Sequence, residues 1–366
     1  MHEQPAIPME HLRACLQDQY GLVPTTFEFL PLGLDSNAGV YRVVSEQEAV
    51  FLLKVKAGTL YEPGCLVPRY LNEQGITSVV APIPTRSGAL WTRLEGWSVL
   101  VYPFIDGDTN WTGMTDEQWK EVGTIFQRIH QVRLPSFGFE SLRKETFDPT
   151  EYARWIHTFE TSPAVAETGP AVAETGLAVA ETQHAQDGAS ASQRALRSAW
   201  MAYQSTIHIA IAMLETLGDA LQRRTLPYVV CHADLHPANL LRDPLGHVFV
   251  IDWDEVMLAP KERDFLFIKA SSADSETLPG TPAFLQGYGQ AEIDWMALTY
   301  YRYERVMQDL IACAQDVFFR DNWGEEAKEG AVQLFHTVLA EGGEIDAASQ
   351  ASAHLPSDLT MPPRKG

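Results

Sequence analysis

The sequence predicts an α+β chain in two lobes: a small N-terminal lobe built on an antiparallel sheet, then a larger, mainly helical lobe. Three observations predict it. Apolar or alternating runs of strand length crowd the first hundred residues, at 27–31, 40–44, 50–53 and 97–104. The last of these ends in Tyr102-Pro103-Phe104-Ile105-Asp106-Gly107, where Pro and Gly mark a stop and a crossover. Beyond that point apolar residues recur at helical spacing. The small lobe therefore takes residues 1–103 and the large lobe residues 104–341.

Each element has its own signal. Between the first two strands, Leu32-Gly33-Leu34-Asp35-Ser36-Asn37-Ala38-Gly39 is rich in turn formers. Thr115-Asp116-Glu117-Gln118 reads as a capping box, and Trp119, Val122, Gly123, Phe126 and Ile129 behind it share one helical face. Residues 198–217 and 300–319 carry two more apolar-periodic helices. Residues 163–169, 170–176 and 177–183 are near-copies of one seven-residue unit reading AVAET. Pro163, Gly169, Pro170 and Gly176 break the helix that a heptad coiled coil would need. The segment around 161–195 therefore reads as a low-complexity insertion, and 342–366 as a flexible tail.

Composition narrows the function. The chain has 366 residues, 45% apolar and 20% charged, with 27 basic against 48 acidic side chains and a net charge of −21. Such a surface repels nucleic acid and anionic lipid and favours a cationic small molecule. No apolar run approaches the ~20 residues that span a bilayer. The start Met1-His2-Glu3-Gln4-Pro5 shows no secretory leader. Cys15, Cys65, Cys231 and Cys313 form no CxxC pair, which points to a reducing, cytoplasmic setting. Either a monomer or a homodimer is compatible with the sequence.

The chemistry concentrates in residues 228–264. A short apolar run leads into His232-Ala233-Asp234-Leu235-His236-Pro237-Ala238-Asn239, an HxDxxxxN pattern. A turn at 243–246 and a second apolar run deliver Asp252-Trp253-Asp254. Phosphoryl transfer needs a carboxylate to orient and deprotonate a hydroxyl, oxygen ligands for magnesium, and a lysine for the phosphates. Asp234 suits the first task, and Asn239 with Asp252 the second. A metallohydrolase built on His232, Asp234, His236, Asp252 and Asp254 is the rival enzyme class. A non-catalytic binding module is another rival; it would have lost the base, a metal ligand or the lysine.

This layout resembles the catalytic core of the aminoglycoside phosphotransferase family, relatives of the protein kinases, whose loop reads HRDxxxxN and whose metal aspartate lies in DFG. The resemblance extends to residues 32–38, 101–105, 251–264 and 300–305. It implies a bilobal protein-kinase-like fold that binds ATP or GTP with Mg2+ between the lobes. It implies that His232 braces the loop, Asp234 is the base, Asn239 and Asp252 bind metal, and Asp254 assists the metal or faces substrate. Lys54 fits the nucleotide lysine, with Lys56 as rival on the same strand parity. Glu62, then Glu73, is the candidate to pair with it from the following helix. Pro63 is tolerable in that helix's first turn, but Pro68 is expected to kink or end it. Ser36 and Asn37 would approach the phosphates, and Tyr102 and Phe104 the base. Asp264 would pack back on the catalytic core. Glu304, Asp309 and Tyr301 are candidates to receive ligand amines. The implied reaction is phosphorylation of an aminocyclitol or aminoglycoside hydroxyl, spectinomycin first among them, conferring resistance. Kinases of choline, homoserine and methylthioribose share this core and remain alternatives.

Overall fold

A sheet of five antiparallel strands organises the N-terminal third of the chain. Its strands are β1 (Pro24–Leu30), β2 (Ala38–Ser45), β3 (Val50–Ala57), β4 (Thr92–Leu94) and β5 (Trp97–Pro103), in the order β1-β2-β3-β5-β4. The computed structural model describes residues 4–32, 37–109, 114–162, 189–266, 281–289, 292–320 and 323–359. The repeats at 163–183, together with Ser36, lie outside the described residues. The remaining strands are short: β6 (Arg143–Lys144), β7 (Val229–Cys231), β8 (Leu240–Arg242), β9 (Val248–Val250) and β10 (Met257–Ala259). The helices, in chain order, are α1 (Met9–Cys15), α2 (Pro63–Glu73), α3 (Asp116–Gln131), α4 (Thr150–Thr161), α5 (Ala191–Gln222), α6 (Thr281–Tyr288), α7 (Trp295–Phe318), α8 (Glu325–Leu339) and α9 (Glu344–Ser352).

The chain divides into two compact units. The first joins Met1–Glu145 with Pro227–Phe267 and Leu278–Ala291. The second comprises Thr146–Leu226, Ile268–Thr277 and Glu292–Gly366. The boundary expected at residue 103 falls inside the first unit. The reason is backbone pairing: Val80 N–H donates to Val250 O at 3.0 Å, and Val250 N–H donates to Ser78 O at 2.8 Å. These bonds tie the segment after α2 to the β8–β9 hairpin.

In the first unit, strand alternation sorts the two faces of the sheet. Tyr41, Val43, Leu53, Val55, Val99 and Val101 bury against Leu12, Cys15 and Leu16 of α1 and the turn that follows it. Lys54 and Lys56 have the opposite parity in β3. Helix α2 starts with Pro63 at its first position and runs on through Pro68 to Glu73, so the helix does not end at Pro68. Cys65, Val67, Pro68 and Leu71 are all buried, and that burial offsets the hydrogen bond a proline cannot make. The capping box at α3 forms as expected: Gln118 N–H donates to Thr115 Oγ1 and Thr115 N–H to Gln118 Oε1. Helices α3 and α6 cross closely, since a Cβ on Gly123 would lie 2.0 Å from Phe284 O.

The second unit is a helical assembly around aromatic side chains. Trp200 on α5 meets Phe159 of α4 at 4.7 Å and Phe335 of α8 at 5.6 Å between ring centroids. The expected helices at 198–217 and 300–319 fall within or nearly on α5 and α7. The tail expected after residue 342 is corrected by α9. Its Ala347, Ala348 and Ala351 are buried, and Ser352 Oγ lies 3.2 Å from Tyr303 Oη on α7. Small side chains let this helix approach closely, a signal that reads as neutral in composition.

Candidate active site

The loop after β7 is built on a buried carboxylate. Asp264 is 0% exposed. It accepts the backbone N–H of His232 at 2.9 Å and of Ala233 at 2.8 Å. His130 Nε2 donates to the same carboxylate at 3.0 Å, and His130 Nδ1 lies 2.8 Å from Tyr288 Oη. Three N–H donors on one buried anion fix the loop at its first turn. Ala233 takes a left-handed backbone there, with φ 70°.

His232 is a brace. Its Nε2 donates to Ile251 O at 2.9 Å, and its Nδ1 accepts the Asp234 N–H at 3.3 Å. Both ring nitrogens are engaged and the ring packs edge-on against Trp253, so His232 offers no lone pair to a metal. That removes the metallohydrolase ligand set. The Asp234 carboxylate lies 3.3 Å from His236 Nε2 and 3.4 Å from Asn239 Nδ2. Asn239 is buried, donates to Asp234 O at 2.8 Å, and its own carbonyl accepts the Ile251 N–H at 3.1 Å. The loop is thereby joined to the strand end that carries Asp252. Asp252 is the second left-handed non-glycine residue of the site, with φ 59°.

Lys54 Nζ lies 3.0 Å from Asp252 Oδ1 and 3.0 Å from Asp254 Oδ2. Burial pulls the Lys54 ammonium down, but the two carboxylates more than offset it and hold its pKa above the ordinary lysine value. Burial likewise raises the Asp254 carboxyl, and Lys54 and Lys56 together outweigh it, leaving Asp254 lowered to about 2. Tyr102 faces the same group, and its hydroxyl is pushed up by burial. A cavity of about 290 Å3 is lined by Lys56, Asp234, Asp252, Asp254 and Glu255.

Several sequence-predicted residues fall elsewhere. Glu62 is exposed at the N-terminus of α2, and Glu73 pairs with Arg69 at 2.7 Å, one turn back. The side chains bonded to Lys54 are therefore aspartates, because α2 turns Gly64 and Cys65 toward the site. Asn37 lies at the turn before β2, where its carbonyl accepts the Ala57 N–H at 2.8 Å. Phe104 follows β5 and carries the Arg42 guanidinium over its ring at 5.4 Å. Glu304, Asp309 and Tyr301 belong to α7 of the second unit. Tyr301 is 0% exposed, packed against Phe147 and Tyr300, which makes it a core residue. Glu304 is buried and accepts from Tyr152 Oη at 3.2 Å, while Asp309 pairs with Arg305. Sequence reasoning missed His130 and Arg143. The Arg143 guanidinium lies 4.3 Å from the Tyr61 ring centroid, bonds Glu255 at 3.0 Å and donates to Asp254 O at 3.1 Å. His130 stood beside the apolar face of α3; no local pattern marks Arg143.

A sequence profile of the phosphotransferase enzyme family, APH, matches residues 36–305. No curated protein matches the sequence. Among solved structures, spectinomycin phosphotransferase APH(9)-Ia in complex with ADP and spectinomycin is 26% identical, with a TM-score of 0.77 over 95% of this chain and 99% of that one. Its AMP-bound complex is 25% identical, with a TM-score of 0.70 over 93% and 97%. An aminoglycoside phosphotransferase from Alicyclobacillus acidocaldarius shares the fold, with a TM-score of 0.60 at 15% identity over 96% and 98%. No described helix is long and apolar enough to cross a membrane. The chain belongs to the phosphotransferase enzyme family, and it is a nucleotide-using small-molecule kinase with the kinase-like α+β fold of the aminoglycoside phosphotransferases.

Proposed function

We propose that this kinase transfers the γ-phosphate of ATP to a ring hydroxyl of an aminocyclitol antibiotic, with spectinomycin as the first substrate to test. The observation that carries the reading is the meeting of Asp234, Asn239, Asp252 and Lys54 around one loop and one strand end. The likeness to a spectinomycin phosphotransferase over 95% of the chain supports the substrate class. The net charge of −21 favours a cationic acceptor.

In this reading Asp234 accepts the proton of the acceptor hydroxyl as its oxygen forms the new bond to phosphorus. The bond from phosphorus to the bridging oxygen breaks, and ADP leaves with that electron pair. His236 and Asn239 orient the carboxylate. Lys54 offsets charge on the nucleotide phosphates. Asn239, Asp252 and Asp254 supply hard oxygen donors. Lys54 Nζ lies 3.0 Å from both aspartates, and carboxylates that gather positive charge support a donor set for magnesium. Bound there, magnesium would neutralise phosphate charge. Tyr102 would approach the base. Phosphorylation of the antibiotic would make the protein a cytoplasmic resistance factor.

The test is an enzyme-linked ADP-release assay with ATP, magnesium and a panel of spectinomycin, kanamycin, hygromycin, choline and homoserine. Release stimulated by spectinomycin alone is the expected result. Stimulation by another acceptor, or by none while ATP still binds, removes the antibiotic assignment.

A further inference from the structure

Strand β3 delivers a second lysine, Lys56, to the aspartate that holds Lys54. Lys54 and Lys56 stand on one face of the strand, about 7 Å apart along it. One oxygen serves both: Asp254 Oδ2 lies 3.0 Å from Lys54 Nζ and 2.8 Å from Lys56 Nζ. Register separates their positions. Lys54 is opposite Val40, whereas Lys56 is opposite Ala38, the first residue of β2. Lys56 is thus the lysine nearer the turn that leads into β2.

Helix α2 explains why an aspartate holds them. A Cβ on Gly64 would sit 3.1 Å from Trp253 O and 3.4 Å from Asp254 Oδ1. The next residue, Cys65, is buried. Helix α2 thus places Gly64, which has no side chain, against Asp254. The cavity that Lys56 lines also contains Asp234, and Lys56 is the cation among its described lining residues. A phosphoryl group brought beside Asp234 therefore meets Lys56.

We propose that Lys56 is a second phosphate-binding cation, which engages the terminal phosphate of the nucleotide while Lys54 engages the inner ones, and that Asp254 is the positioning residue for both amines. This deepens the reading of the site as a kinase centre and rests on it. A lysine that only neutralised Asp254 would have no preference between nucleotides. A lysine on the terminal phosphate distinguishes ATP from ADP.

Titration calorimetry in magnesium, with ADP and with a non-hydrolysable ATP analogue, tests this without turnover. Lys56→Met is expected to weaken the analogue about tenfold or more and to leave ADP unchanged. Lys56→Arg is expected to recover most of the loss. Asp254→Asn is expected to weaken both ligands, since Lys54 also loses a partner. General damage to the fold does not produce a loss confined to the analogue. Equal loss of both ligands in Lys56→Met, or no loss of either, overturns the role of Lys56. Unchanged affinities in Asp254→Asn overturn the role of Asp254. If the unaltered protein binds neither nucleotide, the kinase reading itself fails, an outcome distinct from the other two.

Discussion

Asp264 holds Ala233 in the left-handed backbone region: its Oδ1 accepts the Ala233 N–H at 2.8 Å, and Ala233 has φ 70°. An L side chain in that region costs about 1–2 kcal/mol. The strain lies directly before Asp234 and is sustained by a fully buried anion with three N–H donors. Glycine meets no such penalty, though it loses more freedom on folding. Ala233→Gly is therefore expected to stay within about 1 kcal/mol of the parent and to keep turnover, whereas Ala233→Val loses about 2 kcal/mol or more. Urea unfolding of both variants measures this. A valine variant as stable as the parent would remove the argument.

The Asp234 carboxylate is partly exposed, beside His236 and Asn239, and lines the cavity. Replacing it with asparagine keeps shape and hydrogen bonding but removes the proton acceptor. Asp234→Asn is expected to lower kcat by about 10²–10⁴-fold while nucleotide affinity changes little. Steady-state rates with direct nucleotide titration check both halves. Undiminished turnover would end its assignment as base.

Much of this was legible in the sequence, for a physical reason. The HxDxxxxN loop and the Asp252-Trp253-Asp254 strand end are local patterns, and the fold brings them together through one hairpin, Leu240 opposite Val250. The β3 lysines were readable because strand parity is fixed at two. What failed was long-range. Glu62 looked like the partner of Lys54 by order along the chain, but the partner is set by which atoms fill the space beside it, and Asp254 reaches it across 200 residues. The Asp264–His130 bond spans 134 residues and joins side chains with no periodic signature of their own. Helix α9 was read as a tail because its alanine stripe carries little hydrophobicity; it acquires its value only against α7.

All four cysteines are free and buried. Burial raises Cys15 to about 11 and both Cys65 and Cys313 to about 12, and pushes Cys231 well above its ordinary value. A raised thiol pKa leaves almost no thiolate at pH 8, and the thiolate is the reactive form. The native protein is expected to resist an aromatic disulfide reagent at pH 8, while denaturant releases all four thiols at once. Rapid labelling of Cys65 in the folded protein, located by peptide mapping, would show that α2 opens beside the lysines.

Asp252 combines two features that suit a metal ligand. Its backbone is left-handed, a conformation aspartate tolerates better than most side chains. Its side chain is about half exposed, 49%, while its Oδ1 reaches the partly buried Lys54 amine. It therefore has a free flank for a hydrated cation and a fixed flank on the phosphate lysine. Asp252→Ala removes an oxygen donor and leaves Lys54 with Asp254 alone. The expected outcome is loss of the magnesium response: nucleotide affinity in the variant becomes the same with magnesium or with EDTA, at or below the metal-free affinity of the parent. Nucleotide titrations across a magnesium series measure it. A variant whose magnesium dependence matches the parent's would place the cation elsewhere and leave Asp252 as an anchor for Lys54 only.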